Sequence, residues 1–396
     1  MLVLLAGCAT APVPHAPEIA ARATALTPRE VANLQVFDAA WSLVNRKFYD
    51  PKFRGVDWPA AAVTYGPKAL AAADDKQLYR VLNTMLAGLK ESHNRASLPE
   101  KPAEPRARVG LALGFTEGRW VVTGVQPSSP AEAAGVKKGW LFVARNGQPL
   151  GGKTDLSLKE GETVIDEYLD PQDQRHVLTM TARLLPTARR LEPREARALA
   201  GGVWYLRFDK FDVESRRWLS DQLKVHRAAP AVVVDLRGNP GGASFSLAIM
   251  LGEFFPQSVD WGRFIGRNGR PHKQDSWQWG SARYAGRVAV LVDEATASSA
   301  EIFARTLQFH RRAVLIGRQT AGAVIGSLFY RLPDGGKLQL GVRDYQGLDG
   351  KRLEGVGVKP DVVVSLKLDD LRDGVDPDLA AALVALQNPT AATKNR

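Results

Sequence analysis

From Thr27 to about Leu89 the apolar residues recur at helical spacing: Val31, Leu34, Phe37, Trp41 and Val44, then Leu78, Val81, Leu82, Met85 and Leu89. Thr27-Pro28 supplies an N-cap followed by proline at the first helical position, so a helical lead-in is expected over residues 26–105. The run Pro99-Glu100-Lys101-Pro102-Ala103-Glu104-Pro105 interrupts it, because prolines break helix and bar a central strand. Beyond it the rhythm shortens to strands, Gly110 to Phe115, Trp120 to Val125, Trp140 to Arg145 and His176 to Leu184, which predicts a small β-rich module over 106–186.

From Gly201 strand and helix alternate. Val203 to Phe208, Ala231 to Leu236 and Val288 to Val292 read as strands, and Val213 to Val225, Phe245 to Phe254 and Ser299 to Phe309 as helices. Further strands are expected near Val314, Leu328 and Leu338. That alternation predicts an α/β core over 187–370, followed by a C-terminal helix, Asp376 to Leu386, and a tail in 371–396.

A length of 396 residues calls for more than one folding unit. The formal net charge of +11 would favour anionic partners, but the basic residues are scattered in short pairs such as Arg189-Arg190, Arg216-Arg217 and Arg311-Arg312. No nucleic-acid-binding motif accompanies them, so nucleic acid is not expected as a partner.

The single cysteine, Cys8, excludes an internal disulfide. It ends the apolar run Met1-Leu2-Val3-Leu4-Leu5-Ala6-Gly7-Cys8, which resembles a bacterial lipobox; that resemblance implies acylation at Cys8 and a membrane partner through the lipid. The run is too short to span a bilayer and has no basic residues before it, which suggests a start upstream of Met1. Residues 9–25, rich in Ala and Pro, read as a flexible tether. The expected location is the bacterial envelope, and Ala9 after the cysteine points to the periplasmic face of the outer membrane.

Two strand-to-turn segments carry the candidate chemistry. In the first, Val288-Ala289-Val290-Leu291-Val292 runs into Asp293-Glu294-Ala295-Thr296-Ala297-Ser298-Ser299-Ala300-Glu301. A serine at a strand-to-helix turn exposes its oxygen, and the helix N-terminus favours a developing oxyanion, although the same residue type serves equally as a plain helix cap. In the second, Val232-Val233-Val234 feeds Asp235-Leu236-Arg237-Gly238-Asn239-Pro240-Gly241-Gly242, whose glycines let backbone N–H groups approach a ligand. Such a loop can hold an oxyanion or a phosphate, but no Lys-Ser/Thr follows as a P-loop requires.

Together these motifs resemble those of the C-terminal-processing, or tail-specific, serine peptidases, from the helical lead-in through Pro360-Asp361. The resemblance implies a layered crotonase/ClpP-like peptidase core and endopeptidase activity on unstructured polypeptide C-termini, with no cofactor and no metal. It assigns Ser298 as nucleophile, oxyanion donors from Gly241 or Gly242 and from Ser299, and Glu301 as a supporting residue of the turn. The inserted module resembles a PDZ domain. Its segment Pro130 to Val136 with Lys138-Gly139-Trp140 matches a short helix and following strand, and Gly110-Leu111-Ala112-Leu113-Gly114-Phe115 matches the carboxylate-binding loop.

Many members of the family activate serine with a lysine in Thr-x-Gly-Lys, where this chain has Thr320-Ala321-Gly322-Ala323. A serine hydroxyl needs an adjacent base. Leu89-Lys90-Glu91-Ser92-His93 resembles the Leu-x-Asp-Ser-His segment of a tricorn-like branch, in which histidine is the base. Leu353-Glu354-Gly355-Val356-Gly357-Val358-Lys359-Pro360-Asp361 resembles its Glu-x-x-Gly-Val-x-Pro-Asp segment. The implied triad is Ser298, His93 and Glu354, with Glu354 acting on the imidazole directly or through the Ser92 hydroxyl. The competing readings are a catalytically idle peptide- or apolar-ligand-binding lipoprotein on the same fold, a peptidase using Lys337 as base, and an anchored adaptor.

Overall fold

The computed structural model describes residues 26–99, 107–152, 154–185, 193–279 and 283–387. The lipobox with Cys8, the tether, most of the proline break and Arg189-Arg190 lie outside them. The fold is mixed α/β, and the chain divides into two compact units.

Of the described residues, the first unit gathers 26–99, 259–275 and 321–357. Its helices run Pro28–Lys47, Trp58–Leu70 and Asp75–Ala87. Thr27 caps the first as expected: the Glu30 N–H donates to its hydroxyl, and its own N–H donates to the Glu30 carboxylate at 2.7 Å. Phe37, Val44, Leu78, Leu82 and Met85 enter the core with Trp58, whereas Val31 is exposed. An antiparallel sheet completes the unit. Its order is Arg95–Ser97, Lys337–Gln346, Asp260–Gly266 and Pro271–Asp275, with Gly326–Arg331 also paired to Lys337–Gln346. Leu338 and Leu340 are fully buried and belong to the same core as the helices.

The sequence pattern reads residues 187–370 as one continuous core. In the structure, 259–275 and 321–357 fold instead with the lead-in helices. The hairpin Asp260–Asp275 escapes periodicity because its second strand, Pro-His-Lys-Gln-Asp, is polar throughout and its first is bulged between Asp260 and Gly262.

Of the described residues, the second unit contains 107–152, 154–185, 193–258, 276–279, 283–320 and 358–387. Its six-stranded sheet runs in the order Arg194–Ala198, Trp204–Phe208, Ala231–Asp235, Arg287–Val292, Val314–Gly317 and Val362–Val363. The first pair is antiparallel and the rest parallel. Parallel strands are normally covered on both faces. Here Tyr205, Val233, Leu291 and Ile316 pack with Ala382 and Leu386 of the C-terminal helix Pro377–Gln387, while Leu206, Val232, Val234 and Val290, of the opposite parity, are also fully buried. Helices Val213–Val225 and Ser299–Phe309 have the limits that the pattern predicts, and a third runs Ser244–Gly252.

Within the same unit the β-rich module orders its strands Leu111–Thr116, Arg119–Val125, Leu141–Arg145, Thr163–Leu169 and Arg175–Thr181 around Val122, Trp140, Phe142, Val164 and Tyr168. The strand Thr163–Leu169 is not visible as a hydrophobic run because it carries Asp166 and Glu167. Asp166 is nonetheless fully buried, since Arg145 meets both its oxygens at 2.7 Å. The stretch expected as one strand, His176 to Leu184, breaks at Ala182.

Candidate active site

The buried strand Arg287–Val292 ends at a turn that delivers Ser298 to the N-terminus of helix Ser299–Phe309. Ser298 sits at φ 56°, ψ −124°, a conformation that costs a non-glycine residue about 1–3 kcal/mol. Its neighbours hold it there. The Ser298 N–H donates to Glu301 Oε2 at 3.0 Å, and Glu301, fully buried, accepts from the Thr320 hydroxyl with its other oxygen. The Thr320 hydroxyl in turn accepts from the Val358 N–H at 2.7 Å.

The glycine turn is bound to this serine turn at several points. The Ala297 N–H donates to the Asn239 carbonyl, the Thr296 hydroxyl to the Leu236 carbonyl, and the Gly238 N–H to Asp293 Oδ1. The Ser299 hydroxyl donates to the Gly242 carbonyl at 2.8 Å. Side chains are not tolerated here: a Cβ on Gly241, at φ +90°, would lie 2.6 Å from Ser298 Cβ, and one on Gly242 would lie 2.4 Å from the Phe211 carbonyl oxygen. The Gly241 N–H is engaged by Asn239 Oδ1 at 2.9 Å, and Asn239 is fixed by donating to the Phe208 carbonyl. Of the two glycines expected as oxyanion donors, Gly241 therefore has its amide committed to the loop itself.

His93, Ser92 and Glu354 belong to the first unit. The Ser92 hydroxyl lies 2.6 Å from His93 Nδ1. Glu354, nearly buried, accepts the Ser92 N–H at 2.8 Å with Oε1 and the Val324 and Ile325 N–H groups with Oε2. The carboxylate thus meets the backbone of Ser92, and the serine hydroxyl meets the imidazole. Burial pushes the His93 imidazole below its ordinary value of 6.5, and the Glu354 charge pushes it partly back. Val324 immediately follows Ala323, so Glu354 is bound beside the position where a Thr-x-Gly-Lys segment would carry its lysine. Lys337 is exposed at the start of strand Lys337–Gln346.

A charged cluster that motif reading missed lies next to this pair. Glu91, whose side chain is wholly buried, accepts from Arg352 Nη2 at 2.7 Å with each oxygen, from Arg54 at 3.0 Å and from the Tyr49 hydroxyl. Arg352 also holds Asp344. The available signal was positional: Glu91 stands two residues before His93, and Arg352 two residues before Glu354.

In the β-rich module, Gly110 takes φ +92°, and a Cβ there would strike the Ser129 side chain at 2.2 Å. The following strand, Leu111–Thr116, is at the end of the sheet order, and Phe115 is exposed and packs on Trp120.

Residues 202–364 match the model of peptidase family S41, and residues 30–87 that of the tricorn protease C1 domain. The chain carries an S41 peptidase domain. The match agrees with the resemblance of its motifs to the C-terminal-processing serine peptidases. The S41 match includes Gly241, Gly242, Ser298 and Glu354; His93 lies between the two matched segments, and the β-rich module lies outside both. A carboxyl-terminal-processing protease of Synechocystis is 25% identical over 372 residues, which cover 85% of this chain and 82% of that protein. Tricorn protease homolog 2 of Streptomyces coelicolor is 26% identical over 381 residues, covering 88% of this chain, which spans about a third, 32%, of that longer protein. Among solved structures, the photosystem II D1 C-terminal processing protease shares the fold with a TM-score of 0.53 at 22% identity, covering 91% of this chain and 98% of that one.

Proposed function

We propose that this S41 chain is a serine endopeptidase that binds unstructured polypeptide C-termini and cleaves within them through an acyl-enzyme. The observation that carries the proposal is Ser298 in a strained strand-to-helix turn, tied to a glycine turn at the N-terminus of a buried helix. Ser298 Oγ attacks the scissile carbonyl while His93 Nε2 takes its proton, Nδ1 being engaged with Ser92. The tetrahedral oxyanion is met by the Gly242 and Ser299 N–H groups and the positive end of the helix. The C–N bond then breaks, the leaving amine takes the proton from His93, and a serine ester remains. Water, deprotonated by the same imidazole, hydrolyses the ester and regenerates the serine. Glu354 stabilises the imidazolium through space and through its hold on Ser92.

In this reading the sheet with its helices is a crotonase/ClpP-like core and residues 106–186 are a PDZ-like module. The open edge of Leu111–Thr116 accepts the substrate terminus as an added strand, and the Gly110 turn receives its carboxylate. The lipobox at Cys8 anchors the enzyme to the bacterial envelope on its periplasmic side, several acyl chains giving a durable anchor. No helix among the described residues is long and apolar enough to cross a membrane.

Cleavage of casein by the purified protein, compared with Ser298→Ala and His93→Ala, tests the assignment. Both variants are expected to lose activity on the order of a millionfold if the triad acts as a unit. A wild type as inert as its variants would leave a binding protein on the same fold, and loss with Lys337→Ala but not with His93→Ala would move the base to lysine.

A further inference from the structure

Phe211 lies between strand Trp204–Phe208 and helix Val213–Val225, and its backbone brackets the glycine turn. The Phe211 N–H donates to the Gly241 carbonyl at 2.8 Å, and the Phe211 carbonyl accepts the Ala243 N–H at 2.8 Å. The pairing is an isolated parallel bridge centred on Gly242. It requires glycine there: Gly242 is at φ +148°, and the Phe211 carbonyl oxygen occupies the space a Cβ would need.

The first of these bonds acts on the Gly242 amide through the peptide plane. The carbonyl and N–H of a trans peptide point in opposite directions. The Gly241 carbonyl and the Gly242 N–H belong to one such unit, so holding the carbonyl on Phe211 turns the N–H away from it and polarises it as a donor. The unit has a glycine on either side, at φ +90° and +148°, and no Cβ opposes its rotation. Half a turn would exchange the N–H for the carbonyl oxygen, which repels an oxyanion. The Gly241 N–H is taken by Asn239 and the Ala243 N–H by Phe211, whereas the Gly242 N–H has no partner among the described residues.

The ring of Phe211 reaches the other donor. It is buried and packs on Phe208, with centroids 5.2 Å apart, and on Phe303, 5.6 Å apart. Phe303 follows Ile302, whose N–H donates to the Ser298 carbonyl at 3.1 Å. That carbonyl shares a peptide unit with the Ser299 N–H, the second proposed oxyanion donor. Each donor amide is thus fixed by a bond to the carbonyl of its own unit, one from Phe211 and one from the neighbour of Phe303, and the contact between the two rings joins these supports. The units are close together, since a Cβ on Gly241 would lie 2.7 Å from Ser299 N.

We propose that Phe211 is a positioning residue for the peptidase reaction: it sets the direction of the Gly242 N–H and its spacing from the Ser299 N–H, and so the strength with which the oxyanion is held. The inference rests on the peptidase reading above. Phe211 acts only through donors that engage the tetrahedral intermediate, so its loss lowers kcat and spares KM.

The test deletes one hydrogen-bond donor. Phenyllactic acid in place of Phe211 in the full chain keeps the ring and turns the amide before it into an ester, which removes the N–H alone. Casein cleavage gives kcat and KM. A peptide boronic acid built on a sequence cut from casein, whose boron becomes a tetrahedral anion on Ser298 Oγ, gives the affinity for the oxyanion geometry. The ester variant is expected to lose roughly 10- to 100-fold in kcat, less than the about 100- to 1000-fold that follows outright removal of a donor. Boronate affinity falls by the same factor, and KM holds. Phe211→Ala, which frees the backbone from its ring, shows the same split, and Phe211→Leu recovers most of the rate, with circular dichroism checking that each variant is folded. Wild-type kcat and boronate affinity in the ester variant overturn the proposal, as does a rise in KM that matches the fall in kcat. A wild type that neither cleaves casein nor binds the boronate removes the peptidase reading itself; equal cleavage by the wild type and the ester variant removes only the role of Phe211.

Discussion

Burial and charge pull the His93 imidazole in opposite directions, and burial prevails, so its pKa lies below 6.5. A general base must be neutral to accept a proton. In the proposed triad, kcat/KM therefore falls as pH drops through the depressed His93 pKa, and the midpoint of this acid limb lies below 6.5. Glu354 opposes the depression, so Glu354→Gln removes an influence that raises the pKa. The acid limb of the variant is expected to move to lower pH, while the plateau drops by roughly 10²- to 10⁴-fold because the imidazolium loses its stabilising charge. Full pH–rate profiles of the two proteins check both parts. An acid limb that stayed in place or moved up would show that the carboxylate does not act on this histidine. The turn that carries Ser298 was readable from sequence, since the strand, the small residues and the helix are contiguous there. The bond between Ser92 and Glu354 joins residues 262 positions apart, and only likeness to a known motif could suggest it.

Two short segments, 91–93 and 352–354, are tied side by side in the first unit by two separate contacts. Glu354 holds the Ser92 amide, and Arg352 holds Glu91. The second tie shows why a motif reading confined to the presumed chemical groups stays incomplete: the charges that fix His93 and Glu354 in register are their near neighbours in sequence. Arg352→Ala would leave Glu91 buried with Arg54 and Tyr49 as its partners. Breaking a buried pair usually costs about 3–5 kcal/mol, and the retained Arg54 contact sets the expectation at the lower end. The measurement is urea unfolding alongside casein cleavage. Activity at temperatures where the variant remains folded should also decline, since the segments lose one of their ties. A variant as stable and as active as the wild type would reduce the cluster to a surface ion pair. Lysine at 352 keeps the charge and is expected to recover much of both properties.

Across the whole molecule, chain order and spatial grouping part company. Strongly periodic helices and apolar strands were legible, whereas the polar hairpin Asp260–Asp275 and the strand Thr163–Leu169 with its buried Asp166 depend on partners distant in sequence. The C-terminal helix is the sharpest instance. Sequence separates 371–396 from the core as a helix and tail, but Ala382 and Leu386 cover the Tyr205, Val233, Leu291 and Ile316 face of the parallel sheet. The start of that helix is also bound to the glycine turn, since Arg237 donates to Asp376 and Asp378, and Arg318 donates to Asp378. Arg237 simultaneously holds Asp235 at the end of its strand, five residues before Pro240. Leu386→Ala should cost roughly 2–5 kcal/mol, the range for truncating a buried leucine. A chain ended at residue 375 loses the helix, both aspartates and the cover of one sheet face, and is expected to lose cooperative unfolding and peptidase activity together. Circular dichroism during thermal unfolding, with casein cleavage, reads both outcomes. If the shortened chain kept its cooperative transition, the sheet would be stable with one apolar face open to water, and the helix would be an accessory to a core complete without it.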